Sequence, residues 1–398
     1  MIYPKDSQVG QVGQVRQVRR ELVLAPLLPV ALIEIQPLPK AFPRPCSPST
    51  LSHAVLPATS VIMATTPHWT EPQQDDQDEE QYTTEETDSA LGNDVASSTA
   101  SLSASLLEYR TLHGRTYHSL QGSAEHWTPN DNTHLESMDC AHHCLTLLLK
   151  GKLYLAPIAE GPIKVLDVGC GTGIWAIDFA DAHPNATVIG TDISPSQPEW
   201  VPPNLKFEIE DCTQPWTYPP NIFDFVHLRY LFGSISDWES LYEEAFKACK
   251  PGGWVEALEP SVNIKSDDGS VREGTALYDW GRLFNEASAK AGRSMSIVDD
   301  GTVSKAFRKA GFVNITSRPF KLPATSWPLD KELKEVGAFS QLTMEQDLDG
   351  YAMLLFTQAL GWTHAEVTIY LARIRKEMRD MRFKPYFLVE VVYGRKPE

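Results

Sequence analysis

Short apolar runs alternate with amphipathic runs between about residues 163 and 258 of the chain. Runs of five or six apolar and β-branched residues predict buried strands, and apolar positions recurring every three or four residues predict helices. The predicted strands cover 163–168, 186–191, 205–209, 223–228 and 253–258, and the helices 174–182 and 238–249. Strands that alternate with helices predict a mainly parallel sheet covered by helices on both faces.

The pattern changes on both sides of this region. Upstream, we expect helices over 106–117 and 138–149, with a turn at 127–131. Downstream, a helix over 302–310 leads to a strand over 312–320, and a last strand covers 386–393. The intervening segment has a helical pattern, notably over 344–360 and 363–381, and is too long for a simple loop. We therefore expect a helical insertion over about 322–385, where insertions commonly shape a substrate pocket.

The first hundred residues have no sustained helical or strand period. They are proline-rich, then acidic, then rich in Ser, Thr and Ala. Such a segment buries too little apolar area to offset its ordering entropy, so we expect a disordered leader over 1–100 and a folded domain over 101–398. The alternative for its acidic part is an interaction tail. Arg16, Arg19 and Arg20 imitate a targeting peptide, and a misassigned start upstream of Met63 accounts for them equally well.

Composition and charge narrow the functional classes. The chain is 42% hydrophobic and carries a net charge of −17. Ten of its acidic residues lie in 71–94, a stretch that has no Lys or Arg. A moderately acidic remainder argues against direct binding to nucleic acid, which needs clustered positive charge. No apolar run reaches the ~18–20 residues that cross a bilayer. Six cysteines without paired spacing favour a reducing compartment, the cytoplasm or the nucleus.

A glycine loop, Val165-Leu-Asp-Val-Gly-Cys-Gly-Thr-Gly173, follows the first predicted strand and precedes a helix. Glycines let the backbone approach a ligand closely, and the helix N-terminus offers unpaired N–H donors. The spacing is G-x-G-x-G, unlike the dinucleotide loop, and Asp167 would repel a pyrophosphate. A ligand with an ammonium and a sulfonium fits this carboxylate better.

Carboxylates also stand at the ends of the next two predicted strands. Asp192, followed by Ile193, is placed to bind both hydroxyls of a ribose, and Asp211, followed by Cys212, could accept a hydrogen bond from an adenine amino group. With the glycine loop they predict a nucleoside site. The alternative is that the glycines only allow a tight strand–helix turn.

Residues 105–398 resemble the class I S-adenosylmethionine-dependent methyltransferases in the glycine loop, Asp192, Asp211 and Lys250-Pro-Gly-Gly-Trp254. The resemblance is closer to the LaeA-like fungal methyltransferases. It rests on the segments His113-Gly-Arg-Thr-Tyr117, Pro129-Asn-Asp131, Gly151-Lys-Leu-Tyr-Leu-Ala-Pro157, Gly233-Ser-Ile-Ser-Asp-Trp238 and Tyr393-Gly-Arg-Lys-Pro397. One segment departs from that family: Ser137-Met-Asp-Cys-Ala-His142 stands where it usually has Arg-Leu-Asp-x-x-His.

The resemblance implies a Rossmann-like doubly wound α/β fold. Its seven-stranded sheet is mainly parallel with an antiparallel last strand, and N-terminal helices form a lid. S-adenosyl-L-methionine is the implied cofactor, and its expected contacts are Asp167, Gly169, Cys170, Gly171, Gly173, Asp192, Ile193, Asp211, Cys212 and Tyr117.

The implied activity is methyl transfer to a secondary metabolite or a protein, linked to the regulation of secondary metabolism, with a velvet-type protein as partner. The alternative is a regulatory partner protein that keeps the cofactor fold with little or no catalysis.

Methyl transfer needs alignment more than a fixed catalytic group, so candidates for catalysis rest on position alone. His227, at the exit of the fourth strand, is the candidate base, with an ordinary structural histidine as the alternative. Glu259, just past the fifth strand, is a second candidate and is better placed than Glu256. Tyr117 could face the sulfonium through a cation–π contact or simply pack in the lid.

A metal site is not expected. Cys140-Ala-His-His-Cys144 places four donors on one helix, where they cannot all converge on one ion, and no second pair is evident.

Overall fold

A seven-stranded sheet forms the centre of the part of the chain that the computed structural model describes, residues 109–118, 126–161 and 163–398. Its strands are β3 (Lys164–Val168), β4 (Thr187–Asp192), β5 (Leu205–Ile209), β6 (Phe223–Arg229), β7 (Cys249–Pro260), β8 (Val313–Pro323) and β9 (Tyr386–Arg395). The order is β5-β4-β3-β6-β7-β9-β8. The pairs among β3 to β7 are parallel, and β9 is antiparallel to both β7 and β8. The expected seven-stranded sheet with its antiparallel last strand is confirmed.

The helices of the described residues are α1 (Asn132–Leu148), α2 (Ile174–Ala182), α3 (Trp238–Ala248), α4 (Ala276–Lys290), α5 (Thr302–Ala310), α6 (Lys331–Gln346), α7 (Leu348–Ala359) and α8 (His364–Met378). Helix α2 packs on β4 and β5, whereas α3 packs on α5 and β7. Helix α1 packs chiefly on α6. The sequence pattern missed α4, whose first turn is capped by the Thr275 side chain.

The site lies where the strand order of the sheet changes direction, between β3 and β6. Val165, Leu166 and Val168 of β3 are at most 1% exposed because the strand has neighbours on both sides and helices over its faces. β6 pairs with one edge of β3, and β4 pairs with the opposite edge. Such a switch point opens a crevice at the carboxyl ends of the strands.

The helix predicted over 106–117 is wrong for its described residues. They form a hairpin of β1 (Arg110–Leu112) and β2 (Arg115–Tyr117). The turn residues His113 and Gly114 both have positive φ, 51° and 77°. A two-residue turn of this kind matches the twist of paired strands and is incompatible with a continuous helix. The amphipathic pattern alone does not reveal such a turn.

The insertion between β8 and β9 contains three helices, α6, α7 and α8. The pattern predicted one helix over 344–360, but the helix is interrupted at Asp347. The Asp347 carboxylate accepts a hydrogen bond from the Gly350 amide and caps α7. Helix α1 likewise begins earlier than predicted, because the Asp131 side chain caps it through the His134 amide.

The predicted leader over 1–100 lies outside the described residues. Among the described residues, none of the helices has the length and apolar composition that crossing a membrane requires.

Candidate active site

A cavity of about 170 Å³ lies at the carboxyl ends of the parallel strands, beside α1. Eight of the predicted cofactor contacts line it: Asp167, Gly169, Cys170, Gly171, Asp192, Ile193, Asp211 and Cys212. Three chain segments that are far apart in sequence thus meet at one cavity. Gly173 and Tyr117 do not line it.

Three glycines in the loop after β3 have positive φ for different structural reasons. A Cβ on Gly169 would lie 2.5 Å from Leu231 Cδ2, and one on Gly173 would lie 2.3 Å from Phe207 Cζ. Both glycines are therefore required by packing inside the protein. A Cβ on Gly171, whose φ is +57°, would meet nothing within 4 Å. Gly171 alone leaves open space for close approach of a ligand to the backbone.

Asp167 is buried at the cavity wall with one oxygen in use. Its Oδ1 atom accepts a hydrogen bond from His227 Nδ1 at 2.8 Å. Its Oδ2 atom is buried and has no partner among the described residues. Because Asp167 belongs to the cavity lining, this unpaired carboxylate oxygen is an acceptor for a positively charged donor.

Asp192 has both oxygens tied to backbone amides. Oδ2 accepts from Gly171 N at 2.8 Å and Oδ1 from Ser194 N at 2.9 Å. Burial raises the pKa of Asp192 above its usual range. The carboxylate fixes the glycine loop to the end of β4 and keeps lone pairs for further donors.

Asp211 occupies the corresponding place after β5. Its Oδ1 atom accepts hydrogen bonds from the amide and the hydroxyl of Thr213, at 2.9 and 2.6 Å. This local turn holds the carboxylate at the wall that Cys212 also lines.

The structure places His227 behind the cavity wall, contrary to its expected place in the pocket. Its ring is 1% exposed and stacks on Trp175 at 3.6 Å between ring centroids with an angle of 4° between the planes. Burial lowers the pKa of His227, which favours the neutral imidazole. The residue is not part of the cavity lining, and its observed contact is with Asp167.

Glu259 also lies away from the cavity surface. Its two oxygens accept hydrogen bonds from the amides of Leu231 and Phe232, at 3.0 and 3.1 Å, and burial raises its pKa to about 8. In Glu256 a single oxygen, Oε2, accepts hydrogen bonds from the amides of both Leu155 and Ala156. A strand-end position does not reveal that a carboxylate is already occupied by the backbone.

Tyr117 is 1% exposed, so it packs within the protein. Its hydroxyl has no hydrogen-bond partner among the described residues, and burial raises its pKa to about 12. Of the other lid aromatics, Trp127 donates from Nε1 to the Phe232 carbonyl at 3.1 Å and lines a neighbouring cavity.

Arg229, the last residue of β6, places a guanidinium in the cavity wall. Its Nη1 atom lies 3.0 Å from His142 Nδ1, and the opposite ring nitrogen of His142 lies 2.9 Å from Asp178 Oδ2. Burial lowers the pKa of Arg229 from its usual range. Arg229 follows His227 at this parallel strand end, but no binding role was predicted for it from the sequence.

The donors of the Cys140 to Cys144 segment separate rather than converge. The Cys140 and Cys144 thiols donate to the carbonyls of Phe339 and Val336 in α6. His143 packs edge-on against Phe339. In the part of the chain that is described, no group of three His, Cys, Asp or Glu side chains could hold a metal ion.

A cluster of charged side chains joins the hairpin, α1 and α7 next to the cavity. Arg115 Nη2 donates to Asp131 Oδ1 at 2.7 Å, and its Nη1 donates to Asp347 Oδ1 at 2.7 Å. His134 Nδ1 lies 2.8 Å from Asp347 Oδ2, and His134 lines the cavity. The β1–β2 hairpin and the start of α1 are thereby fixed to the insertion.

A second cavity of about 80 Å³ adjoins the first. Its lining is mostly apolar and aromatic, and the described residues that form it include no Asp, Glu, Lys, Arg or His. Helices α1, α4, α6 and α7 contribute to it, together with the ends of β7, β8 and β9. The insertion therefore shapes a pocket, as its length predicted.

The chain is similar in sequence to known methyltransferases. Residues 140–317 match the family model described as "Methyltransferase domain". Methyltransferase pytC of Aspergillus terreus is 36% identical over 306 residues, which are 76% of this chain and 93% of that protein. Secondary metabolism regulator LAE1 of Cochliobolus heterostrophus is 31% identical over 292 residues, 72% of this chain and 94% of that protein. Protein-methionine methyltransferase laeA of Emericella nidulans is 29% identical over 292 residues, 73% of this chain and 77% of that protein.

Proposed function

Because this chain belongs to the LaeA-like fungal methyltransferases, we propose that its first cavity binds S-adenosylmethionine and that it methylates a secondary metabolite or a protein. The chain is a methyltransferase, and the binding residues and the acceptor are the new parts of this proposal. The observation that carries it is the unpaired Oδ2 atom of Asp167 at the glycine loop.

The residues around Asp167 fit the amino-acid end of the cofactor. The free oxygen of Asp167 is an acceptor for an ammonium group, and Arg229 offers a guanidinium in the same wall for a carboxylate. Arg229 thus supplies a positive charge in a chain whose 137–142 segment lacks the arginine usual in this family. Ser137 instead bonds the Thr343 carbonyl.

The other strand ends fit the nucleoside end. Asp192 is in place for the ribose hydroxyls, and Asp211 for an adenine amino group. Gly171, with open space in front of its backbone, permits close approach of the bound molecule.

S-adenosylmethionine supplies a methyl group bonded to a positively charged sulfur, which is already activated for displacement. The protein's part is alignment and the exclusion of water. His227 is a positioning residue, because its neutral ring holds Asp167 Oδ1 and leaves Oδ2 without a partner among the described residues. We assign no catalytic base to His227 or Glu259.

The substitution Asp167→Asn tests the proposal. The Asn oxygen can still accept a hydrogen bond from His227, but the NH2 group that replaces Oδ2 is a donor and cannot accept one from an ammonium. We expect the Kd of S-adenosylmethionine, measured by calorimetry, to rise at least tenfold, since a hydrogen bond to a charged group contributes ~1.5–3 kcal/mol. Asp224→Asn is the matched control, because Asp224 binds Lys250 outside the cavity lining. Equal affinity of the two variants would overturn the assignment.

A regulatory role is the second candidate, since LAE1 is named a secondary metabolism regulator. In that case a velvet-type protein is the partner, in the cytoplasm or the nucleus. Incubation with methyl-labelled cofactor and a lysate separates the two roles. Label in a small-molecule fraction supports a tailoring enzyme, whereas label only in a protein band, or co-purification of a partner without label, supports the regulator.

A further inference from the structure

The two cavities share a wall. Met138, Ala141 and Leu145 of α1, with Tyr230 after β6, line both of them. We propose that the second cavity binds the methyl acceptor and that this acceptor is a small, uncharged aromatic molecule. The inference rests on the proposed function, because it requires the methyl group to arrive from the first cavity.

The absence of charge in the second cavity restricts the class of acceptor. With no acidic, basic or imidazole side chain among the described residues of its lining, this cavity gives a phosphate, carboxylate or ammonium no charged partner for the hydration that it would lose. This argues against a lysine or arginine side chain of a protein as the methylated group.

The aromatic lining favours an aromatic occupant. Trp127 packs edge-on against Phe284 and Phe232, with ring centroids 5.7 and 5.5 Å apart, and Trp280 packs against Phe284 at 4.5 Å. Edge-to-face and offset arrangements are favourable for aromatic pairs, and this cluster offers ring surfaces to a planar ligand.

Two hydroxyls can orient a polar group of the acceptor. The other hydroxyls of the lining have partners within the protein: Tyr351 bonds Ser137, Ser261 bonds Asp299 and Thr343 bonds the Phe339 carbonyl. Tyr230 and Ser340 contribute the two remaining hydroxyls of the lining. Tyr230 has a φ of +59°, an uncommon value for a residue with a side chain. This backbone conformation sets its side chain at the wall between the cavities.

Methyl transfer to a phenolic hydroxyl is a displacement at the methyl carbon. The bond between the methyl carbon and sulfur breaks, and its electron pair stays on sulfur, which becomes a neutral thioether. A lone pair of the acceptor oxygen forms the new bond to carbon, and the hydroxyl proton leaves to water.

The test uses the full chain saturated with S-adenosylhomocysteine and two probes, 2-naphthol and 2-naphthoate, titrated by calorimetry. The probes share a ring system and differ in charge. We expect 2-naphthol to bind at least ten times more tightly than 2-naphthoate. Comparable affinities, or no binding of 2-naphthol, would overturn the inference.

Ser340→Leu locates the binding, because Ser340 lines only the second cavity and the larger side chain would fill it. We expect at least a tenfold loss of 2-naphthol affinity with an S-adenosylhomocysteine affinity within twofold of wild type. Ala338→Leu, at an exposed position of the same helix, is the matched control. Val262→Phe is a second filling variant from another segment, should Ser340→Leu fail to fold.

The outcomes separate the two proposals. If S-adenosylhomocysteine does not bind the wild-type chain, the proposed function fails. If it binds but Ser340→Leu and Val262→Phe leave 2-naphthol affinity unchanged, only the acceptor site is wrong. Methyl label found on protein in place of a small molecule also contradicts the inference.

Discussion

Asp167 and Asp192 differ in how many of their oxygens the protein itself uses. Among the described residues, Asp167 has one oxygen without a partner, whereas both oxygens of Asp192 accept hydrogen bonds from backbone amides. The glycine loop spacing predicted both residues, since their positions follow from local chain geometry. Partners contributed by distant segments, such as His227 on Asp167, were beyond prediction, because they depend on the packing of β3 beside β6.

Asp192→Ala removes both the ribose acceptor and the support of the glycine loop. We expect the Kd of S-adenosylmethionine to rise at least tenfold, from the loss of a charged hydrogen bond of ~1.5–3 kcal/mol. Calorimetry measures the affinity, and an unchanged Kd would contradict the ribose assignment. Asp224→Ala, at a carboxylate outside the cavity lining, is the control for loss of an acidic side chain.

Glu259 gives a pH dependence of stability. Its pKa is about 8 in the folded protein, compared with ~4.3 in an unfolded chain. Between these values the folded protein holds a proton that the unfolded chain releases, so the free energy of unfolding falls as the pH rises through this window. We expect Glu259→Gln to remove a slope of up to ~1.4 kcal/mol per pH unit, measured by urea unfolding from pH 5 to pH 8.

Glu256→Gln is the internal comparison, because the pKa of Glu256 is raised only to about 7. Its substitution should flatten the same curve below pH 7 and leave the slope above pH 7 in place. Retention of the full wild-type slope in both variants would show that neither carboxyl group titrates in this window.

At the scale of elements, strands and helices buried by the sheet were predicted closely, and elements defined by a cap or turn were not. Helix α5 and strand β5 have the predicted bounds. The β1–β2 hairpin and the break between α6 and α7 depend on His113 and Asp347. Backbone conformation and capping at one residue decide such boundaries, and apolar periodicity carries little information about them.

The cluster around Asp347 joins three of these elements, so its loss should affect stability more than one helix cap alone. We expect Asp347→Ala to lower the free energy of unfolding by ~3 kcal/mol, because Arg115 loses a buried partner and α7 loses its cap. Urea unfolding measures the change. Asp349 lies two residues after Asp347 and forms a half-exposed ion pair with Arg375. We expect Asp349→Ala, which removes that pair, to cost less than ~1 kcal/mol.

At the scale of the whole molecule, the described chain forms one sheet domain with a helical insertion. The acidic stretch 71–94 and the rest of the first hundred residues lie outside the description, and the residues proposed for the site all lie beyond them. Alternation of strands and helices was sufficient to predict the sheet, whereas the shape of the acceptor cavity depends on contacts among α1, α4, α6 and α7 that no local pattern encodes.

We propose that residues 1–100 are not needed for cofactor binding. A chain beginning at residue 101 should bind S-adenosylmethionine with a Kd within twofold of the full chain and unfold at the same temperature. Calorimetry and thermal unfolding of the two chains, side by side, check this. A tenfold weaker affinity of the shortened chain would assign the first hundred residues a part in the site.

The wall shared by the two cavities has a thermodynamic consequence. Because Met138, Ala141 and Leu145 of one helix touch both spaces, ordering that helix around one ligand prepares the surface that the other ligand meets. Linkage then requires each ligand to change the affinity of the other by the same factor. Cofactor and acceptor should therefore bind as a cooperative pair, and release of either product should weaken the hold on the other.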